Sequence, residues 1–198
     1  MMLRSIVSLA AVLTLGIVLA GCGSSGPSFQ ATDITNASFG RDFELTAPDG
    51  KSRRLADFRG KVVVVFFGYT QCPDVCPTTL AALAEAMKRL GPDADRVQVL
   101  FVTVDPERDT PPLLAQYVPA FDKRFLGLYG DVDATARTAK EFRILYQKVP
   151  GATPGSYTMD HSAGSYVFDP QGRLRLYVGN GQSADVFAHD IAELLRAS

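Results

Sequence analysis

The chain has 198 residues, enough for one domain and an export segment. Basic and acidic side chains balance, 20 against 21, and no basic run occurs anywhere, so nothing points to a nucleic-acid partner. A hydrophobic share of 46% excludes a disordered chain and supplies a single sizeable core.

The N-terminus sets the compartment. Arg4 precedes an apolar run from Ser5 to Ala20, the order of a charged and then a hydrophobic signal region. The run is shorter than the roughly 20 residues a permanent membrane helix needs. It ends in Leu19-Ala20-Gly21-Cys22, which resembles the lipobox of bacterial lipoproteins. That resemblance implies cleavage before Cys22, acylation of its thiol, and a domain held outside the cytoplasm of a bacterial cell envelope. The competing reading is an uncleaved anchor helix with an incidental Cys22. Residues 1–21 are thus expected to be the signal peptide, 22–33 a lipidated flexible tether, and 34–198 one domain.

The domain is expected to open with a hairpin, since Phe43-Glu44-Leu45 and Ser52 to Leu55 flank the turn residues Ala47-Pro48-Asp49-Gly50. Lys61 to Phe67 is a continuous β-branched and aromatic run, which suits a strand buried on both faces. Leu80, Leu83, Ala84, Met87 and Leu90 recur at helical spacing and stop at Gly91-Pro92. Val97 to Val104 forms a second apolar strand, and Pro111-Pro112 opens a helix through about Phe121. A short strand near Phe125 to Leu128 and a helix from Ala134 to Phe142 follow. After a Gly/Pro-rich loop come strands Ser165 to Phe168 and Leu174 to Val178, joined by Asp169-Pro170-Gln171-Gly172. Ser183 is placed to cap a last amphipathic helix carrying Phe187, Ile191, Leu194 and Leu195. This alternation predicts an α/β fold: a thioredoxin-like central mixed sheet flanked by helices, with an N-terminal hairpin.

With Cys22 given to the lipid, two of the three cysteines remain, Cys72 and Cys76. They stand in Tyr69-Thr70-Gln71-Cys72-Pro73-Asp74-Val75-Cys76-Pro77, between a buried strand and a helix, where α/β folds place ligand sites. Pro73 and Pro77 disfavour α geometry at the residues before them, so both cysteines are expected in the loop, with Pro77 first in the helix. The helix dipole there would favour thiolates. Two sulfurs alone make a poor structural zinc site. Of the two histidines, His189 falls on the polar face of the last helix, whereas His161, in Tyr157-Thr158-Met159-Asp160-His161-Ser162, lies directly before the closing strands. In a thioredoxin-like sheet that loop neighbours the cysteine loop. Two thiolates and an imidazole suit Cu(I), and can hold Cu(II), better than they suit magnesium or calcium. Asp160 either orients His161 or caps a turn. Met159 is read as core, Asp105 as structural, and Asp74 as an exposed loop tip.

Phe66-Phe67-Gly68-Tyr69-Thr70 with Cys72-Pro73-Asp74-Val75-Cys76-Pro77, then Val104-Asp105-Pro106-Glu107-Arg108-Asp109-Thr110, then Asp160-His161-Ser162, resembles the ordered motifs of the Sco/SenC family. The likeness runs from about Ile34 to the C-terminus. It implies a membrane-anchored, thioredoxin-like copper protein whose ligands are Cys72, Cys76 and His161. It also implies a role in assembling cytochrome c oxidase, with subunit II and its dinuclear copper site as the target, and another periplasmic copper carrier as a further partner. The alternative is a thiol-disulfide oxidoreductase that uses Cys72 and Cys76 as a redox pair to keep the partner's cysteines reduced. A peroxiredoxin-like peroxidase and a copper or redox sensor are further readings.

Overall fold

The computed structural model of the chain describes residues 26–198, so the expected signal segment and the start of the tether, residues 22–25 with Cys22, lie outside the described residues. Two short pieces come first: β1 (Thr32–Asp33), and the expected hairpin as β2 (Glu44–Thr46) and β3 (Ser52–Arg54). The β-branched run forms β4 (Val62–Gly68), buried at every position. Helix α1 (Val75–Leu90) follows, then β5 (Val97–Thr103), α2 (Pro111–Tyr117), β6 (Leu126–Leu128) and α3 (Val132–Glu141). The remainder is β7 (Tyr146–Pro150), β8 (Tyr157–His161), β9 (Ser165–Phe168), β10 (Leu174–Val178) and α4 (Ala184–Arg196).

The main sheet has the order β1-β10-β9-β4-β5-β6, with β4, β5 and β6 parallel and β9 antiparallel to β4. This is the thioredoxin-like mixed sheet that the alternation implied. A central strand covered on both faces needs apolar side chains at successive positions, which is what Val62, Val63, Val64, Val65, Phe66 and Phe67 provide. Leu80, Leu83 and Met87 of α1, each no more than 1% exposed, complete the packing over the sheet. Phe142 collects Phe43, Phe67, Tyr166 and Phe168 around its ring, with centroids 5.1 to 6.4 Å away.

Three features depart from the sequence reading. The segment expected as a loop before β9 is an antiparallel hairpin of its own, β7 paired with β8 and separate from the main sheet. The domain also begins earlier than Ile34. Backbone N–H groups of Gln30 and Ala31 donate to the buried Asp190 carboxylate of α4 (2.9 and 2.8 Å), and β1 adds an edge to β10. Ser183 precedes α4 as expected, but its side chain makes no capping bond.

Candidate metal centre

The site stands at the C-terminal end of β4. Gly68 closes that strand because nothing larger fits: a Cβ there would lie 2.8 Å from Cys76 Sγ and 2.9 Å from the Phe101 ring. Tyr69 and Thr70 carry the chain out of the sheet, and the Cys72 amide donates to the Tyr69 carbonyl (3.2 Å) to start the loop. Thr70 is fixed from below. Its hydroxyl and amide donate to Asp109 at 2.6 and 3.1 Å, and Thr103 Oγ1 donates to the same carboxylate at 2.5 Å. Burial pushes the Asp109 carboxyl up, against the lowering effect of those bonds.

The cysteines differ from the expectation and from each other. Helix α1 starts at Val75, not Pro77, so Cys76 sits in its first turn. Pro77 is tolerated there because first-turn N–H groups have no partner inside the helix in any case. Cys72 stays in the loop, half-buried, whereas Cys76 is 0% exposed. Both thiols are free. Burial pushes the Cys76 thiol well above the usual thiol range, so desolvation outweighs the helix dipole at this sulfur. The Cys76 amide donates to Cys72 Sγ (3.4 Å), which ties the outer sulfur to the first turn of α1.

The hairpin delivers the third group. Along β8, Tyr157, Met159 and His161 share the inward face while Thr158 and Asp160 are exposed. Met159 is buried, as its reading as core required. His161 Nε2 lies 3.6 Å from Cys76 Sγ, and its ring meets Tyr69 edge-on at a centroid distance of 5.8 Å. The other ring nitrogen, Nδ1, lies 3.0 Å from the Ser162 carbonyl oxygen. A carbonyl can only accept, so Nδ1 is the donor, and in the neutral ring Nε2 has its lone pair for the sulfurs or a metal. The orienting role considered for Asp160 is thus filled by the Ser162 backbone, and Asp160 faces solvent. His189 takes no part. Its Nδ1 is 2.8 Å from Asp190 on α4.

One ligand atom each from Cys72, Cys76 and His161 all lie within 4.8 Å of one another. They border an open depression of about 490 Å³ shared with Tyr69, Val75 and Met159. Two sulfurs and one imidazole nitrogen, half in and half out of the core, suit a soft or borderline metal ion of the first transition row. The set fits copper, since it mixes thiolate with nitrogen and leaves one side open.

Sequence reasoning read Asp105 as structural but missed Arg108, Tyr157 and Gln71, which with it hold these three in place. Asp105 is 1% exposed and accepts from the Tyr157 hydroxyl (2.9 Å) and from Arg108 Nε. Arg108 Nη1 donates in turn to Gln71 Oε1 (3.2 Å) and to the Tyr157 carbonyl (2.9 Å). The one available signal was the charge pattern Asp105-Pro106-Glu107-Arg108-Asp109 directly after a buried strand, where ionised groups need partners.

The family model described as SCO1/SenC matches residues 31–196. The mouse protein "Protein SCO2 homolog, mitochondrial" (Mus musculus) is 38% identical over 158 residues, 79% of this chain and 62% of that protein. The chain therefore spans about three fifths of that relative's length. The copper-bound structure of Bradyrhizobium japonicum ScoI is 39% identical, with a TM-score of 0.70 over 82% of this chain and 100% of that one. Apo Sco1 from Thermus thermophilus is 42% identical, with a TM-score of 0.76 over 87% of this chain and 99% of that one. Motifs, fold and match agree, and the chain belongs to the SCO1/SenC family.

Proposed function

We propose that this protein binds copper through Cys72, Cys76 and His161 and delivers it during assembly of cytochrome c oxidase, to the dinuclear site of subunit II. The observation that carries the reading is the convergence of three donor atoms, from the loop, the first turn of α1 and the end of β8, within 4.8 Å of one another. Copper is cargo here. Cys72 and Cys76 hold it as thiolates and His161 Nε2 completes the set. The ion itself supplies the charge that makes a buried Cys76 thiolate tolerable, so binding releases protons and strengthens as pH rises. Cys72, the outer ligand, is the group through which copper leaves for a partner's thiol. Acylated Cys22 and the following residues tether the domain to a membrane of the bacterial envelope, facing away from the cytoplasm. No described helix is long and apolar enough to cross a membrane.

A second reading rests on the asymmetry of the thiols. A half-buried Cys72 over a fully buried Cys76 is also the order of an attacking and a resolving sulfur. In that chemistry the Cys72 thiolate opens a partner disulfide, Cys76 displaces the mixed disulfide, and the partner leaves with two thiols while Cys72 and Cys76 become a disulfide.

Titration of Cu(I) into the reduced full-length chain in detergent, against a competing chelator, decides between them. One Cu(I) should bind. Cys72→Ser and Cys76→Ser should cause the largest losses, and His161→Ala should weaken binding by about tenfold or more. His189→Ala should leave it unchanged. Equal effects of the two histidine changes, or fast copper-independent turnover of protein disulfides with weak copper binding, would turn the assignment to the oxidoreductase.

A further inference from the structure

The hairpin that carries His161 has little to hold it in position. Four of the five residues of β7 are exposed and β8 buries only Met159, so β7 and β8 form a two-stranded sheet that water reaches on most sides. Such a pair is marginally stable by itself. Its orientation, and hence the position of His161, depends on side-chain ties from the rest of the molecule.

The ties converge on Arg108. Its guanidinium lies over the Tyr157 ring, 3.6 Å from the centroid, and Nη1 donates to the Tyr157 carbonyl at 2.9 Å. The same Nη1 reaches Gln71, the residue before Cys72, at 3.2 Å. Nε pairs with the buried Asp105 carboxylate, which also accepts from the Tyr157 hydroxyl at 2.9 Å. Arg108 Nη2 is buried and finds no hydrogen-bond partner among the described residues. A guanidinium that leaves one donor unsatisfied while holding a ring, a backbone carbonyl and a buried carboxylate is held there by its neighbours' geometry.

We infer that Arg108 is a positioning residue for the metal site: it clamps the hairpin to the cysteine loop and thereby presents His161 to the two sulfurs. Tyr157 and His161 share the inward face of β8, four residues apart, with Met159 between them. Fixing Tyr157 therefore fixes the strand about 13 Å from the ligand, at a rise of about 3.3 Å per residue. The clamp has a specific chemical consequence, which rests on the copper reading above. Cu(I) keeps much of its affinity on two thiolates and loses about tenfold without the imidazole, whereas Cu(II) favours nitrogen donors in a more complete set and loses more. Loosening the hairpin therefore weakens Cu(II) binding far more than Cu(I) binding.

The test uses Arg108→Lys in the full-length chain, because removing the charge altogether would strand the buried Asp105 carboxylate and risk the fold. Lysine keeps a charge for Asp105 but lacks the planar fork that stacks on Tyr157 and reaches two acceptors. Tyr157→Phe, which deletes only the hydroxyl tie, is the milder companion. In the reduced metal-free protein, amides of residues 146–161 should exchange with solvent at least about tenfold faster in Arg108→Lys, with β4 and β5 unchanged. Cu(II) affinity should fall by about 30-fold and Cu(I) affinity by less than about fivefold. The Cu(II) electron-paramagnetic signal should lose the nitrogen features that His161→Ala also removes. In a His161→Ala background, Arg108→Lys should cost little more. Unaltered hairpin exchange overturns the clamp whatever copper does. Equal losses for both oxidation states, or an undiminished loss in the His161→Ala background, overturn its role in presenting His161. If wild type binds no copper, the copper reading fails, and exchange alone decides whether Arg108 holds the hairpin.

Discussion

The two halves of the metal centre are built on different physical terms. Cys72 and Cys76 hang from the end of β4, buried at every position, and the start of α1, whose apolar face is sealed in the core. His161 ends a hairpin that lies outside the main sheet and is held by a few polar and aromatic contacts. The sulfurs are fixed by packing, which is dense and non-directional; the imidazole is fixed by hydrogen bonds and stacking, which are few and directional. A change on the cysteine side should therefore register as lost stability, and a change on the hairpin side mainly as altered metal preference. A site made this way can keep its thiolates in register while its third donor adjusts.

The strongest challenge to that contrast is Gly68→Ala. The new methyl would meet Cys76 Sγ at 2.8 Å and Phe101 at 2.9 Å, inside a strand that cannot yield toward solvent. We expect a loss of about 1–3 kcal/mol in chemical denaturation, the usual cost of overfilling a packed core. Copper binding should suffer as well, because the inner sulfur is displaced. A Gly68→Ala protein as stable as wild type would mean that the cysteine side is softer than its burial implies.

Next in size is the response of the inner sulfur to pH. Burial holds the Cys76 thiol above its ordinary value, so the folded metal-free protein keeps a proton that the unfolded chain gives up from about pH 8.5. The unfolded state then binds fewer protons, and stability must fall as pH rises through that range. The stabilising contribution is complete below about pH 8.5 and is lost above it, with a limiting slope near 1.4 kcal/mol per pH unit. Tyr69 and Tyr166, also pushed up by burial, act in the same direction at higher pH, so Cys76→Ala is the reference. Between pH 8 and pH 9.5 the stability of reduced wild type should drop by about 1 kcal/mol more than that of Cys76→Ala. Parallel curves would show that Cys76 ionises freely in the folded protein.

Legibility in the sequence followed the same division. Lys61 to Phe67 could be read as a buried strand because a strand covered on both faces has to be apolar throughout, and the periodicity of α1 was equally direct. The hairpin could not be read. Tyr146 to Pro150 and Tyr157 to His161 are mostly polar and exposed, and Pro150 with Gly151, Pro154 and Gly155 after it signals a loop. His161 was found because the chain has only two histidines and the other falls on a polar helix face, not because its strand was foreseen. Arg108 was harder still. Its partners Gln71 and Tyr157 are 37 and 49 residues away, and no local pattern announces a contact at that range. The ionisation of Cys76 was read with the wrong sign, because the dipole at a helix start is visible in sequence and the burial of one sulfur is not.

The smallest expected effect probes the hairpin where it is least constrained. Lys148 of β7 pairs with Glu107 at 2.6 Å and lies 4.7 Å from the centre of the Tyr157 ring, on the solvent side of the clamp. Both partners are about half exposed, so water and salt screen the pair. Glu107→Gln should change stability by no more than about 0.5 kcal/mol, and the small effect should vanish in about 1 M salt. The Cu(II) to Cu(I) affinity ratio should stay within about twofold of wild type, since His161 is presented by the buried contacts beneath. A larger shift in that ratio would mean that the exposed pair shares the holding of the hairpin. Arg108 would then be one tie among several, and the directional side of the site would be spread over the whole Asp105-to-Asp109 loop.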